Sequence, residues 1–170
     1  DIDPAEVGKI VRVDVPMFGD AKRSLVAIIK VLKAKAKRGR SNEWLRHVEK
    51  LQKELSPRMD YDDVPIKPQR AIKEMMDVLS EDAIVVTEVG QCEMWAAHFY
   101  RVRKPRHFIS SGGLGTMGFG FPASIGVKVA RPECNVVDIA GDGSFLMNSQ
   151  ELATAVDNQI NVVVCILNNR

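Results

Sequence analysis

The stretch AGDGSFLMNSQELATAVDNQINVVVCILNNR, Ala140–Arg170, decides the fold. It opens with the turn Gly141-Asp142-Gly143, continues through a helical pattern over 149–158, and ends in the apolar run 161–167 followed by two asparagines. A short strand that is apolar on both faces is typical of a parallel sheet covered by helices on both sides. The stretch therefore predicts one helix–strand unit of such a sheet.

The same alternation of helices and apolar strands extends upstream from Ala140. Strands that alternate with helices favour parallel βαβ units over hairpins. We therefore predict an α/β fold, a parallel sheet with helices on both faces. The predicted helices are 69–79, 92–100 and 121–130, and the predicted strands are 83–89, one near 107–110, and 135–140.

The first third of the chain follows another pattern. Val11–Pro16 alternates apolar and polar residues and predicts a short half-buried strand. A helix is expected from the N-cap Asp20 to a stop at Gly39, and a second is expected from Ser41 or Asn42 to residue 55. The basic run 33–40 is interpreted as a solvated helix face.

The proline- and acid-rich segment SPRMDYDDVPIKP, 56–68, has no periodicity and is the best candidate for a linker. We predict an end of a preceding domain over 1–19, a helical connection and linker over 20–66, and a ligand-binding domain over 67–170. The chain does not begin with Met, and we expect it to be a piece of a longer polypeptide.

Composition excludes several classes of protein. A net charge of +2 is too balanced to indicate nucleic-acid or membrane-surface binding. No apolar run is long enough to predict a transmembrane helix, and no signal peptide is recognisable. The three cysteines have no zinc-type spacing, which favours a reducing cytoplasm.

Polar and glycine-rich segments follow three of the predicted strands: 88–91, 140–143 and 168–169. Ligands of parallel sheets lie at the carboxyl ends of the strands, so these segments should gather at one edge. Asp142 offers a carboxylate, and Asn168 and Asn169 offer amide oxygens, which are ligands suited to Mg²⁺ or Ca²⁺. The pattern predicts a metal-bridged diphosphate site, although either motif alone could be only a turn.

A second glycine cluster, SSGGLGTMGFGFP at 110–122, permits other interpretations. Gly113, Gly115 and Gly118 fit G-x-G-x-x-G, and Asp138 could imitate the ribose-binding acid of a dinucleotide fold. The segment before these glycines lacks the apolar run expected of the strand in that motif. Alternatively, the glycines only permit close packing, and Met117 belongs to the core.

The segments GQCEMWAAHFYRVRKPRHFISSGGLGTMGFGFPASIGVKVA (90–130) and VVDIAGDGSFLMNSQELATAVDNQINVVVCILNN (136–169) strongly resemble thiamine diphosphate enzymes. In particular, they are similar to the catalytic large subunits of acetolactate synthase (acetohydroxyacid synthase). Residues 1–21 resemble the exit from the middle domain of that family. The two basic helices that follow resemble its interdomain connection.

The resemblance implies a role for each matching position. Asp142 and Asn169 would bind Mg²⁺, with a main-chain carbonyl beyond Arg170 as the third protein ligand. Gly115 would offer its carbonyl to the cofactor's amino group, and Met117 would be the apolar wedge beneath the bent cofactor. Where the family usually has histidine and then glutamine, this chain has Cys92 and Glu93. The implied cofactor-binding residues are Gly90, Gln91, Cys92, Gly115, Met117, Gly141, Asp142, Gly143, Ser144 and Asn169.

The resemblance also implies a reaction, the conversion of pyruvate to 2-acetolactate with loss of CO2 in branched-chain amino-acid biosynthesis. The activating glutamate of the family lies on an amino-terminal domain of the partner subunit. No catalytic residue is therefore assigned, neither Glu88 nor Glu93, and this chain alone should be inactive. The whole enzyme would carry FAD, form a homodimer or higher oligomer, and bind a regulatory small subunit.

Other functions stay open at this point. Glyoxylate carboligase, sulfoacetaldehyde acetyltransferase and pyruvate oxidase belong to the same superfamily. A nicotinamide-binding dehydrogenase domain would use the G-x-G-x-x-G segment and Asp138. A non-catalytic interaction module would present the helices of 20–55 to a partner.

Overall fold

The computed structural model of the chain describes residues 1–35 and 42–169. The chain divides into two compact units, and the boundary in the sequence lies between Leu55 and Ser56. The predicted helix stop at Gly39, the alternative cap Ser41, and Arg170 lie outside the described residues.

The first unit contains a 3-10 helix, Pro4–Glu6, and two α-helices, α1 (Ala21–Lys35) and α2 (Glu43–Glu54). The carboxylate of Asp20 accepts a hydrogen bond from the Arg23 N–H at 2.9 Å. The Asn42 side chain likewise accepts one from the Trp44 N–H at 3.1 Å. Because such bonds satisfy amides that have no partner within the helix, these two residues fix where α1 and α2 begin.

The predicted strand at Val11–Pro16 is wrong. This segment is exposed and irregular, and the described part of the first unit contains no β-strand. A strand needs a neighbour to pair its backbone N–H and C=O groups, and the alternating pattern could not supply one.

The second unit is an α/β domain, which confirms the predicted fold class. Its four strands are all parallel and lie in the order β2-β1-β3-β4. The strands are β1 (Ile84–Thr87), β2 (Phe108–Ile109), β3 (Val136–Ala140) and β4 (Val163–Ile166). The helices are α3 (Pro68–Val78), α4 (Gln91–Phe99), α5 (Gly120–Ala130), α6 (Asp142–Leu146) and α7 (Glu151–Asp157).

The two central strands explain why the sheet forms. Every residue of β1 and β3 is buried, as their apolar runs predict for strands covered on both faces. Two clusters of apolar side chains make up the core of this unit. The first is Val85, Cys92, Ala96 and Ile139, and the second is Phe121, Ile125 and Ala155.

One segment differs from its prediction in detail. The helix predicted over 149–158 is shorter, and a separate short helix, α6, begins at Asp142 itself. The Gly141 carbonyl accepts the first bond of α6 from the Phe145 N–H at 3.1 Å. The glycine-aspartate-glycine turn is thus the start of a helix. Within 1–35 and 42–169, no helix combines the length and the apolar character needed to cross a bilayer.

Candidate functional site

The carboxyl ends of β1, β3 and β4 meet at one edge of the sheet. Thr87 is level with Ile139, and Ala140 is level with Ile166. Pairing continues just past the strands, where the Leu167 N–H donates to the Ala140 carbonyl at 2.8 Å. The segments that follow the three strands therefore leave the sheet side by side.

A cavity of about 160 Å³ opens at this edge. It brings together every predicted cofactor-binding residue except Gly115. Asn169, and not Asn168, lines it. The lining residues are Val89, Gly90, Gln91, Cys92, Trp95, Met117, Gly141, Asp142, Gly143, Ser144, Leu167 and Asn169.

The candidate metal ligands, Asp142 and Asn169, lie around this same cavity although they follow different strands. The Asn169 amide nitrogen donates to the Gln91 side-chain oxygen at 2.8 Å, which ties the tip of β4 to the start of α4. Because that bond uses the amide nitrogen of Asn169, its amide oxygen and the Asp142 carboxylate are the candidate ligand atoms. Both are hard oxygen ligands of the kind that Mg²⁺ prefers. Within 1–35 and 42–169, no three His, Cys, Asp or Glu side chains form a cluster that could hold a metal ion.

The turn from β1 into α4 forms the second wall of the cavity. Gly90 precedes the helix with φ of 138°, a backbone conformation that favours glycine. Cys92 is only 2% exposed, and burial raises the pKa of its thiol. A neutral thiol at this position adds no negative charge beside an anionic ligand.

The glycine-rich loop between β2 and α5 reaches the rim of the cavity. Gly115 has φ of 63°, and a methyl group added there would lie 4.0 Å from Val89 Cγ1, beside the cavity wall. Its N–H donates to the Ser111 carbonyl at 2.7 Å, and the Thr116 N–H donates to Ser111 Oγ at 2.6 Å. Met117 lines the cavity and is 43% exposed, so the alternative that placed it in the core is wrong.

Asp138 cannot bind a ribose. It is fully buried in the middle of β3, and its carboxylate has no hydrogen-bond partner among the residues that the structure describes. Burial raises the pKa of Asp138 to about 8, and the neighbouring Glu88 makes a smaller contribution in the same direction. The dinucleotide interpretation needs this residue at an exposed strand tip, and the structure contradicts it.

Glu88 directly follows β1 and is also fully buried. Its two carboxylate oxygens accept hydrogen bonds from the Gly118 N–H at 2.8 Å and the Phe121 N–H at 3.0 Å. It does not line the cavity. Glu88 therefore supports the loop.

Sequence reasoning missed three apolar members of the cavity wall, Val89, Trp95 and Leu167. Trp95 lies four residues after Gln91 on α4, so both side chains lie on one helix face. That spacing was the available signal. Val89 and Leu167 continue apolar strands and look like ordinary core residues in the sequence.

Comparison with known proteins agrees with this geometry. Residues 88–170 match the family described as "Thiamine pyrophosphate enzyme, C-terminal TPP binding domain". A probable acetolactate synthase large subunit of Methanocaldococcus jannaschii is 54% identical over 179 residues, covering 100% of this chain and 30% of that protein.

Two further relatives come from a bacterium and a plant. The acetolactate synthase isozyme 3 large subunit of Escherichia coli is 42% identical, covering 100% of this chain and 30% of that protein. The chloroplastic acetolactate synthase of Arabidopsis thaliana is 46% identical, covering 100% of this chain and 26% of that protein. This chain thus spans less than a third of the length of these relatives. Residues 88–170 belong to the thiamine pyrophosphate-binding domain family, and the chain as a whole resembles the acetolactate synthase large subunits.

Proposed function

We propose that this chain binds the diphosphate end of thiamine diphosphate through one Mg²⁺ ion at the sheet edge. The convergence of Asp142 and Asn169 on one cavity, from the ends of β3 and β4, carries the proposal. A carboxylate beside a diphosphate is repulsive unless a cation lies between them. The observed set of oxygens is suited to that cation.

The chain's own residues divide the work in this proposal. Asp142 and Asn169 ligate the metal, and Gln91 and Ser144 offer polar side chains to the phosphates. The backbone at Gly90, Cys92, Gly141 and Gly143 approaches the ligand closely because glycines predominate there. Met117 lines the cavity and Gly115 lies near its wall, and we assign both to the ring portion of the cofactor, as the family resemblance implies.

Thiamine diphosphate, when bound, supplies the carbanion chemistry, and the protein supplies binding and orientation. We propose that the whole protein condenses 2-oxoacids, forming 2-acetolactate from pyruvate with loss of CO2. The relatives named acetolactate synthase support this reaction. The described residues place no carboxylate other than Asp142 at the cavity wall. An activating acid would therefore come from outside the residues described.

The remaining proposals concern the assembly. The "large subunit" names of the relatives support a regulatory small subunit as partner, and we propose a homodimer or higher oligomer and FAD for the whole enzyme. The three cysteines are unpaired, which supports a reducing compartment, the cytoplasm. We retain 1–19, 20–66 and 67–170 as the end of a middle domain, a connection with linker, and the cofactor-binding domain.

Calorimetric titration of the full-length protein, as its gene encodes it, tests the cofactor proposal. Thiamine diphosphate should bind with Mg²⁺ and at least about tenfold more weakly without it or in Asp142→Asn, because one charge-assisted ligand is lost. Asp157→Asn, an exposed position on α7, is the matched control and should bind like the wild type. Metal-independent binding, or undiminished binding by Asp142→Asn, would refute the proposal.

The reaction has its own test. The full-length protein should form acetolactate from pyruvate, and the 170-residue chain alone should not. Comparable rates from the chain alone would show that the activating acid lies within it. Cofactor binding without acetolactate formation by the full-length protein would favour another enzyme of the superfamily.

A further inference from the structure

The loop that carries Gly115 and Met117 makes few contacts of its own. Residues 112–117 are all exposed, and the described hydrogen bonds of Gly115 and Thr116 return to Ser111 within the same loop. The loop becomes buried only at Gly118. The hydrogen bonds of the Gly118 backbone N–H and carbonyl therefore fix where the loop lies relative to the rest of the cavity.

Glu88, which directly follows β1, binds the Gly118 backbone through its side chain. Its carboxylate receives the Gly118 N–H at 2.8 Å and the Phe121 N–H in the first turn of α5 at 3.0 Å. The Glu88 backbone N–H in turn donates to the Ile139 carbonyl at 3.0 Å. One side chain thus joins the loop to the two central strands of the sheet.

Asn148, in the segment that follows α6, makes a second hydrogen bond to Gly118. Its amide nitrogen donates to the Gly118 carbonyl at 2.6 Å. The fit is close, because a methyl group on Gly118 would lie 2.8 Å from Asn148 Nδ2 and 3.0 Å from Met147 Cβ. Gly118 also has φ of 83°, which disfavours any other residue.

We propose that Glu88 and Asn148 are positioning residues for the ring end of the cofactor, because together they hold the Gly118 backbone and so set where Met117 and Gly115 lie. The inference rests on the proposed function and adds two residues to it. Neither residue lines the cavity, and each bonds to the backbone of Gly118, so both would act through the loop. Glu88 fixes the loop to β1, and Asn148 fixes it to the segment that follows α6.

This arrangement separates the two ends of the site. The residues proposed for the phosphates and the metal lie elsewhere: Gln91 begins α4, Asp142 and Ser144 lie in α6, and Asn169 follows β4. None of their described hydrogen bonds involves Gly118. Weakening the hold on Gly118 should reduce affinity for the ring portion and spare affinity for the diphosphate portion. A general loss of structure would reduce both.

The experiment measures two ligands on the full-length protein in the presence of Mg²⁺. Thiamine diphosphate probes the whole site, and inorganic pyrophosphate probes only the phosphate end. Glu88→Gln and Asn148→Ala should each weaken thiamine diphosphate by about tenfold, as expected when a buried hydrogen bond is broken. Pyrophosphate affinity should stay within about twofold. Gln91→Ala, at the phosphate end, should weaken both ligands.

Equal losses for both ligands in the Glu88 and Asn148 variants, or no loss for either, would overturn the inference. Failure of the wild type to bind thiamine diphosphate would instead refute the proposed function. Asn148 is half-buried, so its variant decides the matter if Glu88→Gln does not fold. Hydrogen exchange adds a direct readout: the variants should exchange faster over 111–118, with protection in β1 and β3 unchanged.

Discussion

The buried Asp138 predicts a specific pH dependence of stability. Burial and the nearby Glu88 raise the pKa of Asp138 from 3.8 to about 8 in the folded protein. Between these values the folded state keeps a proton that the unfolded state releases. Stability must therefore fall as the pH rises through that window.

The size of the effect follows from the same shift. Each pH unit inside the window removes about 1.4 kcal/mol of unfolding free energy, so the loss between about pH 5 and about pH 7 is ~3 kcal/mol. Asp138→Asn has nearly the same shape and no ionisable group. Its stability, relative to the wild type, should therefore improve by that amount over the same interval.

Urea unfolding at several pH values checks this expectation. The quantity to plot is the difference in unfolding free energy between Asp138→Asn and the wild type, because most other titrating groups cancel in it. Asp157→Asn, an exposed position on α7, is the control and should give a much flatter difference. A flat difference for Asp138→Asn would show that Asp138 is ionised in the folded protein and would refute the reasoning.

The remaining predictions concern close packing around the same carboxylates and the cavity thiol. Gly120→Ala should destabilise the protein by about 3 kcal/mol, because the added carbon would lie 2.6 Å from both Asp138 Oδ1 and the Glu88 backbone nitrogen. Gly126→Ala, in the same helix with nothing within 4 Å, should instead stabilise it by about 1 kcal/mol in thermal or urea unfolding. The Cys92 thiol is buried and its pKa is raised, so it should react with iodoacetamide at least about tenfold more slowly in the folded than in the unfolded protein. Mass spectrometry follows the reaction. Equal rates in the two states would contradict the burial of the thiol.

The sequence predicted the sheet well because its signal was local and redundant. The runs that became β1 and β3 are apolar on both faces, and only a parallel sheet between helix layers buries such strands. Val11–Pro16 failed for the opposite reason. Its alternation is just as local, but a strand exists only with a partner, and no residue near it in sequence indicates whether a partner is there.

The cavity was predictable to the extent that it follows from topology. Parallel strands bring their carboxyl ends together, so Asp142 and Asn169 meet although a helix and a strand separate them in sequence. The support of the glycine loop was not predictable. Glu88 and Asn148 each bond to Gly118 across thirty residues of chain. No spacing rule connects those positions.

The two buried carboxylates, Glu88 and Asp138, differ in their hydrogen-bond partners. Glu88 accepts two backbone N–H groups, one of them in the first turn of α5, where the helix favours a negative charge. Asp138, beside it, has no described donor, and it is the group whose pKa rises. Gly120 makes this approach possible, since any side chain there would occupy the space between them. The proton that burial and Glu88 hold on Asp138 therefore keeps a negative charge off the strand beside the loop support.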